Sequence, residues 1–356
     1  MSRYDAIVAG LGAAGAATAW QLAARGLRVL GLDRFRPPHD RGSSHGRSRI
    51  IRQAYFEGEI YVPWLLDAYE RWRRLERAGG RDLLTLTGGL MMGPPEGAIL
   101  AGSLASARAH GLDHELLDGA DLRRRWGTAF ALAEGEAALY EPQAGVLRPE
   151  AAIETMLGLA AQAGAELVFE QPLLGWEVTA EGGVRAWTAA GVYEADRLVL
   201  AAGPWLAALL PPESVALKVE RAVAAWFRPG AAAAGTTIWI RQLPDGRELY
   251  GLPELEGGEG IKAAFHNGHQ PADPENSDAP PEAQEVGAIA EALARHCPGL
   301  AGAPLQAQTC RYTRTPDGHF RIGRLPGSPQ VIAVSACSGH GFKFAPSLGA
   351  AAADLA

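Results

Sequence analysis

The stretch CSGHGFKF, residues 337–344, sets His340 and Lys343 on a turn that also carries Gly339 and Gly341. Lysine is scarce: of 33 basic residues only Lys218, Lys262 and Lys343 are lysines, and arginine serves everywhere else. The two side chains differ in chemistry. Lysine is a compact point charge whose pKa moves readily on burial, and arginine is a planar fork that stays charged. Lys343 is therefore a candidate charge at a site, with a solvated surface role as the alternative. A second concentration of chemistry is GSSHGRSRIIR, residues 42–52. A helix beginning near Ser44 would place His45, Arg49 and Arg52 at i, i+4 and i+7, on one face, with Ile50 and Ile51 burying the other side.

The third cluster is Gly10, Gly12 and Gly15 in the pattern G-x-G-x-x-G. A buried strand, YDAIVAGLG, precedes it, and a helix of small residues closed by Gly26 follows. A second strand, RVLGLD, then ends in Asp33, 18 residues after Gly15. In such a unit the glycines allow a tight turn, close approach of backbone to a pyrophosphate, and close helix–strand packing. The helix N-terminus offers free N–H groups to phosphate. An acid at position 33 suits a free ribose, which favours FAD or NAD over NADP.

These groups need elements to hold them. YVPWLLDAYERWRRLERAG has apolar residues at helical spacing. PEAAIETMLGLAAQAGAELVF reads as helix then strand, and RLVLAAGPWLAALL as strand, Gly-Pro turn and helix. GGLMMG, VALKVERAVAAWF, TTIWIRQL, ELYGLP and GIKAAFH read as strands. Residues 267–283 form an exposed polar loop, and the final segment is a turn, a strand, a glycine turn and a closing helix. The expected fold is α/β (α+β overall). A discontinuous Rossmann-type domain covers 1–82, 149–215 and 322–356, and a mainly antiparallel substrate domain covers 83–148 and 216–321. Met91, Met92 and the nine tryptophans could line a roomy site or simply fill the core.

Composition narrows the partners. A length of 356 residues suggests roughly two domains. A net charge of −7 argues against a nucleic-acid surface. No apolar run approaches about 18 residues, so no membrane span is expected. The small apolar N-terminus superficially resembles a secretion signal, but Asp5 interrupts it and no basic region precedes it. Three cysteines do not make a disulfide framework. A cytoplasmic protein without a metal is expected. A Ser-His hydrolase reading of GSSHG lacks a nucleophile elbow.

Taken together in chain order, the glycine fingerprint, GSSHGRSRIIR, LYGLP with GIKAAFH, TCRYTRTPDGHFRIG and CSGHGFKF resemble the monomeric sarcosine oxidase and N-methyltryptophan oxidase family of flavoprotein amine oxidases. The resemblance spans residue 5 to the C-terminus. It implies FAD attached through a thioether at Cys310, with Cys297 structural and Cys337 a confusable neighbour of the second motif. It implies that Arg52 and Lys343 clamp a substrate carboxylate, and that Lys262 stands where oxygen is reduced, with His45 and Arg49 beside it. Tyr250, His266 and Tyr312 would line the substrate side. Gly339, His340, Gly341 and Ser44 would join Gly10, Gly12, Gly15 and Asp33 in holding the cofactor. Lys218 matches nothing in the family.

The implied reaction takes a secondary amine bearing a carboxylate, with molecular oxygen as acceptor. For an N-methyl amino acid it gives the primary amino acid, formaldehyde and hydrogen peroxide, and the amine reacts as the neutral form. Arg47 departs from the shorter residue the family motif leads one to expect. Glycine- or D-amino-acid-oxidase-like and pipecolate-type enzymes, a flavin dehydrogenase with a partner acceptor, and an inactive FAD-binding subunit remain alternatives.

Overall fold

The strand Arg3–Ala9 buries Ile7 and Val8 completely, as a strand covered on both faces must. The computed structural model describes residues 3–276, 279–300 and 302–356. Arg3–Ala9 lies at the centre of an eight-stranded sheet. It pairs in parallel with Val29–Leu32 on one side and with Gly191–Leu200 on the other. Glu166–Val168 extends the parallel run beyond Val29–Leu32. Ser328–Ser335 runs parallel beside Gly191–Leu200 and forms a hairpin with Arg321–Leu325. The hairpin of Gly175–Val178 and Val184–Thr188 adds antiparallel strands to the other half of Gly191–Leu200.

The helix Ala13–Ala24 packs against the sheet and against the helices Pro149–Gln162 and Ala345–Leu355, which the helix Val62–Gly79 contacts in turn. Its small side chains are required there. A Cβ at Gly15 would stand 1.7 Å from the Gly10 carbonyl oxygen, and one at Gly349 would stand 2.5 Å from the Ala17 Cβ. Val62–Gly79 buries Val62, Leu65, Ala68, Trp72 and Leu75 on one stripe and closes on Gly80 in the left-handed region.

A nine-stranded, mainly antiparallel sheet carries the other half of the chemistry. Lys218–Phe227 is its longest-paired strand, with Pro304–Arg314 on one edge and Ile261–Phe265 on the other. Glu248–Leu252, Ile238–Gln242 and Gly89–Gly93 follow in order. The strands of the eight-stranded sheet fall within residues 3–32, 166–200 and 321–335, and those of the nine-stranded sheet within residues 89–141 and 218–314. A small third sheet joins Arg49–Ile51, Gly145–Leu147 and Leu84–Leu86.

Two local expectations are corrected. Residues 44–52 do not form a helix. They form a turn followed by the strand Arg49–Ile51. Gly46 (φ +99°) and Arg47 (φ 63°) take left-handed backbone that a helix cannot absorb, and Glu150 accepts the N–H groups of both at 2.7 and 3.0 Å. The segment after Gly191–Leu200 makes only a short 3₁₀ run, Gly203–Leu209, in place of an α-helix. Met91 and Met92 are fully buried in separate core clusters, so they fill the core and do not line a site. Lys218 is exposed. Residues 277 and 278 of the polar loop lie outside the described residues.

Candidate functional site

The first βα turn opens onto a cavity of about 1260 Å³, mouth included. Gly10, Gly12, Asp33 and Ser44 line it. Gly10 has φ +90°, and a Cβ there would stand 2.5 Å from the Ala201 carbonyl oxygen. The helix Ala13–Ala24 begins at Gly12 without a side-chain cap from its own N-cap, and Ser44 Oγ accepts the Ala13 N–H at 3.2 Å. Asp33 accepts the N–H groups of Leu11 (2.6 Å) and Phe35 (2.8 Å), which holds its carboxylate at the end of the second strand. A second cavity, about 1000 Å³ with its mouth, lies deeper, and Ser43 and Cys337 line both. The two spaces therefore adjoin at Ser43 and Cys337. The Ser43 hydroxyl and His45 Nδ1 are buried at the junction and inner end without a hydrogen-bond partner among the described residues. A long dinucleotide with phosphates at the glycine turn and a ring system in the inner chamber fits this shape and these open polar atoms.

The inner chamber gathers the remaining sequence candidates. His45, Arg49, Tyr250, Lys262, Cys310 and Tyr312 line one part of it. Cys310 sits on Pro304–Arg314 opposite Ala222, and Lys262 sits on Ile261–Phe265 opposite Trp226. Arg49 Nη2 donates to the Ser43 carbonyl at 2.9 Å and reaches Cys310 Sγ at 3.7 Å. Burial pushes the Cys310 thiol up, but His45, Arg49 and Lys262 outweigh it and bring it down to about 6. The other cysteines differ. Burial pushes Cys297 up to about 12 and raises Cys337 as well. Lys262 Nζ donates to the carbonyls of Gly46 (2.8 Å) and Ser48 (3.0 Å) and lies 5.2 Å from the Trp226 ring centroid. Burial, with Arg49 adding to it, holds the Lys262 ammonium well below its ordinary pKa.

The other part of the chamber is built around Arg52 and Lys343. Arg52 is 1% exposed. Its Nη1 donates to the Ala54 carbonyl at 2.7 Å, its Nη2 pairs with Glu57, and its Nε has no partner among the described residues. Tyr55 and Phe56 lie against its guanidinium at 4.3 and 4.2 Å. Lys343 Nζ donates to the His340 carbonyl at 2.8 Å and lies 3.4 Å from the Tyr55 hydroxyl. Burial lowers Lys343 to about 7, against the opposing pull of Glu57. Burial also pushes the Glu57 carboxyl up, but Arg52, His340, Lys343 and His266 bring it down to about 2.

His266 is held down to about 3, mainly by burial, so it is a neutral imidazole. Its ring stands 6.4 Å from Tyr250 and 5.7 Å from Tyr312, at the join between the two parts. Gly339 (φ +82°) lets that wall close, because a Cβ there would stand 2.8 Å from the Tyr312 ring. A Cβ at Gly341 would stand 1.5 Å from the Ala336 carbonyl oxygen. The His340 ring is held by Tyr55 OH (2.6 Å) and the Gly318 carbonyl (3.2 Å), and burial lowers it to about 4.

Three carboxylates at the site escaped sequence reasoning. Glu57 pairs with Arg52, Glu150 holds the turn of Gly46 and Arg47, and Glu141 organises the Arg52 segment. Glu141 is 0% exposed and accepts the N–H groups of Gln53 (2.6 Å) and Ala54 (2.9 Å). Only Glu57, five residues beyond Arg52, carried a local cue. Among the described residues no group of three or more His, Cys, Asp or Glu is arranged to hold a metal ion, and no helix is long and apolar enough to cross a membrane.

Comparison with known proteins places this geometry. Residues 5–355 match the family model described as FAD dependent oxidoreductase. The chain is 45% identical to a monomeric sarcosine oxidase of Streptomyces avermitilis over 99% of this chain and 93% of the relative. It is 36% identical to an N-methyl-L-tryptophan oxidase of Salmonella typhimurium over 99% of this chain and 95% of the relative. Among solved structures, the open form of NikD, an unusual amino acid oxidase essential for nikkomycin biosynthesis, superposes with a TM-score of 0.88 at 27% identity, covering 100% of this chain and 94% of the other.

Proposed function

Since the chain belongs to the FAD-dependent oxidoreductases, in the group of the monomeric sarcosine and N-methyltryptophan oxidases, we propose that it oxidises the N-methyl group of an N-methyl amino acid such as sarcosine. One amine, one oxygen molecule and one water give the primary amino acid, formaldehyde and hydrogen peroxide. The observation that carries this reading is that one buried chamber holds Arg52 and Lys343 around Glu57, and Cys310 beside Arg49 and Lys262.

FAD, when bound, supplies the two-electron acceptor. Arg52 and Lys343 receive the substrate carboxylate by charge-assisted hydrogen bonds and so fix the position of the neighbouring amine. Arg52 has an open Nε, and its Nη2 can exchange Glu57 for the incoming carboxylate. His266, Tyr250 and Tyr312 wall the amine with uncharged polar groups, a setting that favours the neutral, reactive amine. Lys262 meets negative charge as it develops on oxygen, and an anion forming there would secure the proton that burial disfavours. Cys310 is the cysteine whose surroundings favour a thiolate, and it is the residue that would hold the flavin covalently. Three cysteines with no disulfide among them suit a reducing, cytoplasmic setting.

The test has two arms. Sarcosine should yield formaldehyde and peroxide in equal amounts, whereas N-methyl amines lacking a carboxylate should turn over poorly. Acid-precipitated wild-type protein should keep its yellow flavin. Cys310→Ser should release all of it, and Cys337→Ser should retain it. Retention by Cys310→Ser with loss in Cys337→Ser would reassign the attachment.

A further inference from the structure

Outside the chamber, on the Lys262 side, lies a recess of about 350 Å³ with its mouth. Ser48, Trp226 and Lys262 line both the chamber and the recess, so these three side chains form the partition between them. Its lining is mixed, with the apolar Trp226, Pro253 and Leu255 beside the ionic Glu259 and Arg148, the latter paired to Glu256. A separate basin adjoins the other part of the chamber through Phe56, Glu57, His266 and His340. A substrate seated on Arg52 and Lys343 would occupy the chamber at that basin. The Lys262 part would then need its own path to solvent.

Arg47, the residue that departed from the family motif, stands at this recess. Its backbone is left-handed (φ 63°), rare for arginine, and Glu150 pins that turn through the N–H groups of Gly46 and Arg47. The turn aims the guanidinium to 5.9 Å from the Trp226 ring centroid, where Nη2 also reaches Gln306 Oε1 at 3.4 Å. Trp226 thus stands beside two basic side chains, Lys262 at 5.2 Å and Arg47 at 5.9 Å. Those contacts hold a bulky, apolar indole across the gap between recess and chamber.

We propose that this recess is the passage by which molecular oxygen enters and hydrogen peroxide leaves the Lys262 part of the chamber, with Trp226 as its constriction and Arg47 holding that constriction narrow. The apolar side chains Trp226, Pro253 and Leu255 suit dioxygen, which has no charge or hydrogen-bond demand, and the ionic side chains beside them suit departing peroxide. The substrate's two electrons, with two protons, convert one oxygen molecule to one hydrogen peroxide, so traffic through the passage balances. The inference rests on the reading of Lys262 as the group beside the oxygen reaction.

The experiment uses the flavin-loaded protein reduced with dithionite, so it does not depend on the identity of the substrate. The reduced protein is mixed rapidly with oxygenated buffer. Leu255→Trp, which fills the recess, should slow reoxidation at least tenfold. Arg47→Ser, which frees Trp226, should speed it severalfold. Crystals of the flavin-loaded wild type under xenon pressure should show xenon in the recess, and crystals of Leu255→Trp should not. Flavin content and spectrum check that each variant has folded, and the xenon result with Arg47→Ser decides the matter if Leu255→Trp is unstable. Unchanged reoxidation in both variants, with no xenon in the recess, would overturn the passage. Lys262→Met separates the two levels. Slow reoxidation in Lys262→Met with normal rates in the recess variants sinks the passage alone, and normal reoxidation in Lys262→Met sinks the reading beneath it.

Discussion

Lys262 and Lys343 are both buried in one chamber, and they face opposite electrostatic company. Lys343 is 6% exposed and shares its pocket with a carboxylate. Burial drives its pKa down, Glu57 resists, and the balance stops at about 7. Lys262 is 3% exposed, and its strongest charged neighbour is Arg49, which pushes in the same direction as burial. Cys310 and Glu150 oppose only in part. Lys343 is thus kept close to half-charged at neutral pH with a carboxylate beside it, whereas Lys262 is short of negative charge. On the proposed roles, the same side chain would serve a resident, fully charged ligand in one place and a transient anion in the other. An arginine could not make this distinction, because it does not titrate in the relevant range.

The strongest way to break the comparison is Lys262→Met. Losing one preorganised charge beside a developing anion costs about 3–4 kcal/mol, or roughly 10²–10³ in rate. Reoxidation of the reduced protein, followed in stopped flow, should slow by that factor, and affinity for a carboxylate inhibitor should hold. A variant with normal reoxidation and weakened inhibitor binding would reverse the roles of the two lysines.

Lys343→Met comes next. A charge-assisted contact is worth about 1.5–3 kcal/mol, so carboxylate inhibitors should bind roughly 10- to 150-fold more weakly. A neutral analogue of the same shape should lose little, and reoxidation should be unchanged. Equal weakening of both ligands would mean that Lys343 shapes the pocket without reading charge. The pH dependence sharpens the same point. A lysine lowered to about 7 is charged below that pH and neutral above it. Affinity for an inhibitor that carries a carboxylate and no amine should therefore be greatest on the acid side. It should fall up to about tenfold per pH unit as pH rises through 7, and the slope should vanish in Lys343→Met.

What could be read in the sequence was what is local in it. Gly10, Gly15 and Gly341 sit where any Cβ would collide with backbone, so their spacing reports geometry directly. Lys262 and Lys343 stood out because arginine is written almost everywhere else. Periodicity misled at residues 44–52. Helical spacing rightly grouped His45 with Arg49, but Gly46 and Arg47 reverse the backbone, and Arg52, beyond the strand, turns to the other part of the chamber. Glu141 and Glu150 were invisible because each acts on backbone N–H groups 87 to 104 residues away in sequence. Trp226 reads as a strand residue like any other until its register opposite Lys262 is known. Met91 and Met92 looked available for a site, yet core packing claims both.

The smallest expected effect tests whether the two parts of the chamber are separable at all. Glu141 touches no ligand-facing atom. Both of its oxygens accept backbone N–H groups, from Gln53 and Ala54, and the Ala54 carbonyl in turn accepts from Arg52 Nη1 at 2.7 Å. Burial raises the Glu141 carboxyl, while those N–H donors and Arg52 pull the other way. Glu141→Gln keeps the volume but presents one amide nitrogen to an N–H donor, so one of the two contacts must open. A single hydrogen bond is worth about 0.5–1.5 kcal/mol net, which sets the expected loss of carboxylate affinity at roughly 2- to 10-fold. The change should act through Arg52 only. Carboxylate inhibitors should weaken, neutral analogues should not, and reoxidation at Lys262 should stay at the wild-type rate. A general loss of stability would instead lower all three together. If reoxidation slowed in step with carboxylate binding, the two lysines would be coupled through the shared scaffold of Arg49–Ile51 and Arg52, and the contrast between their surroundings would describe one site and not two.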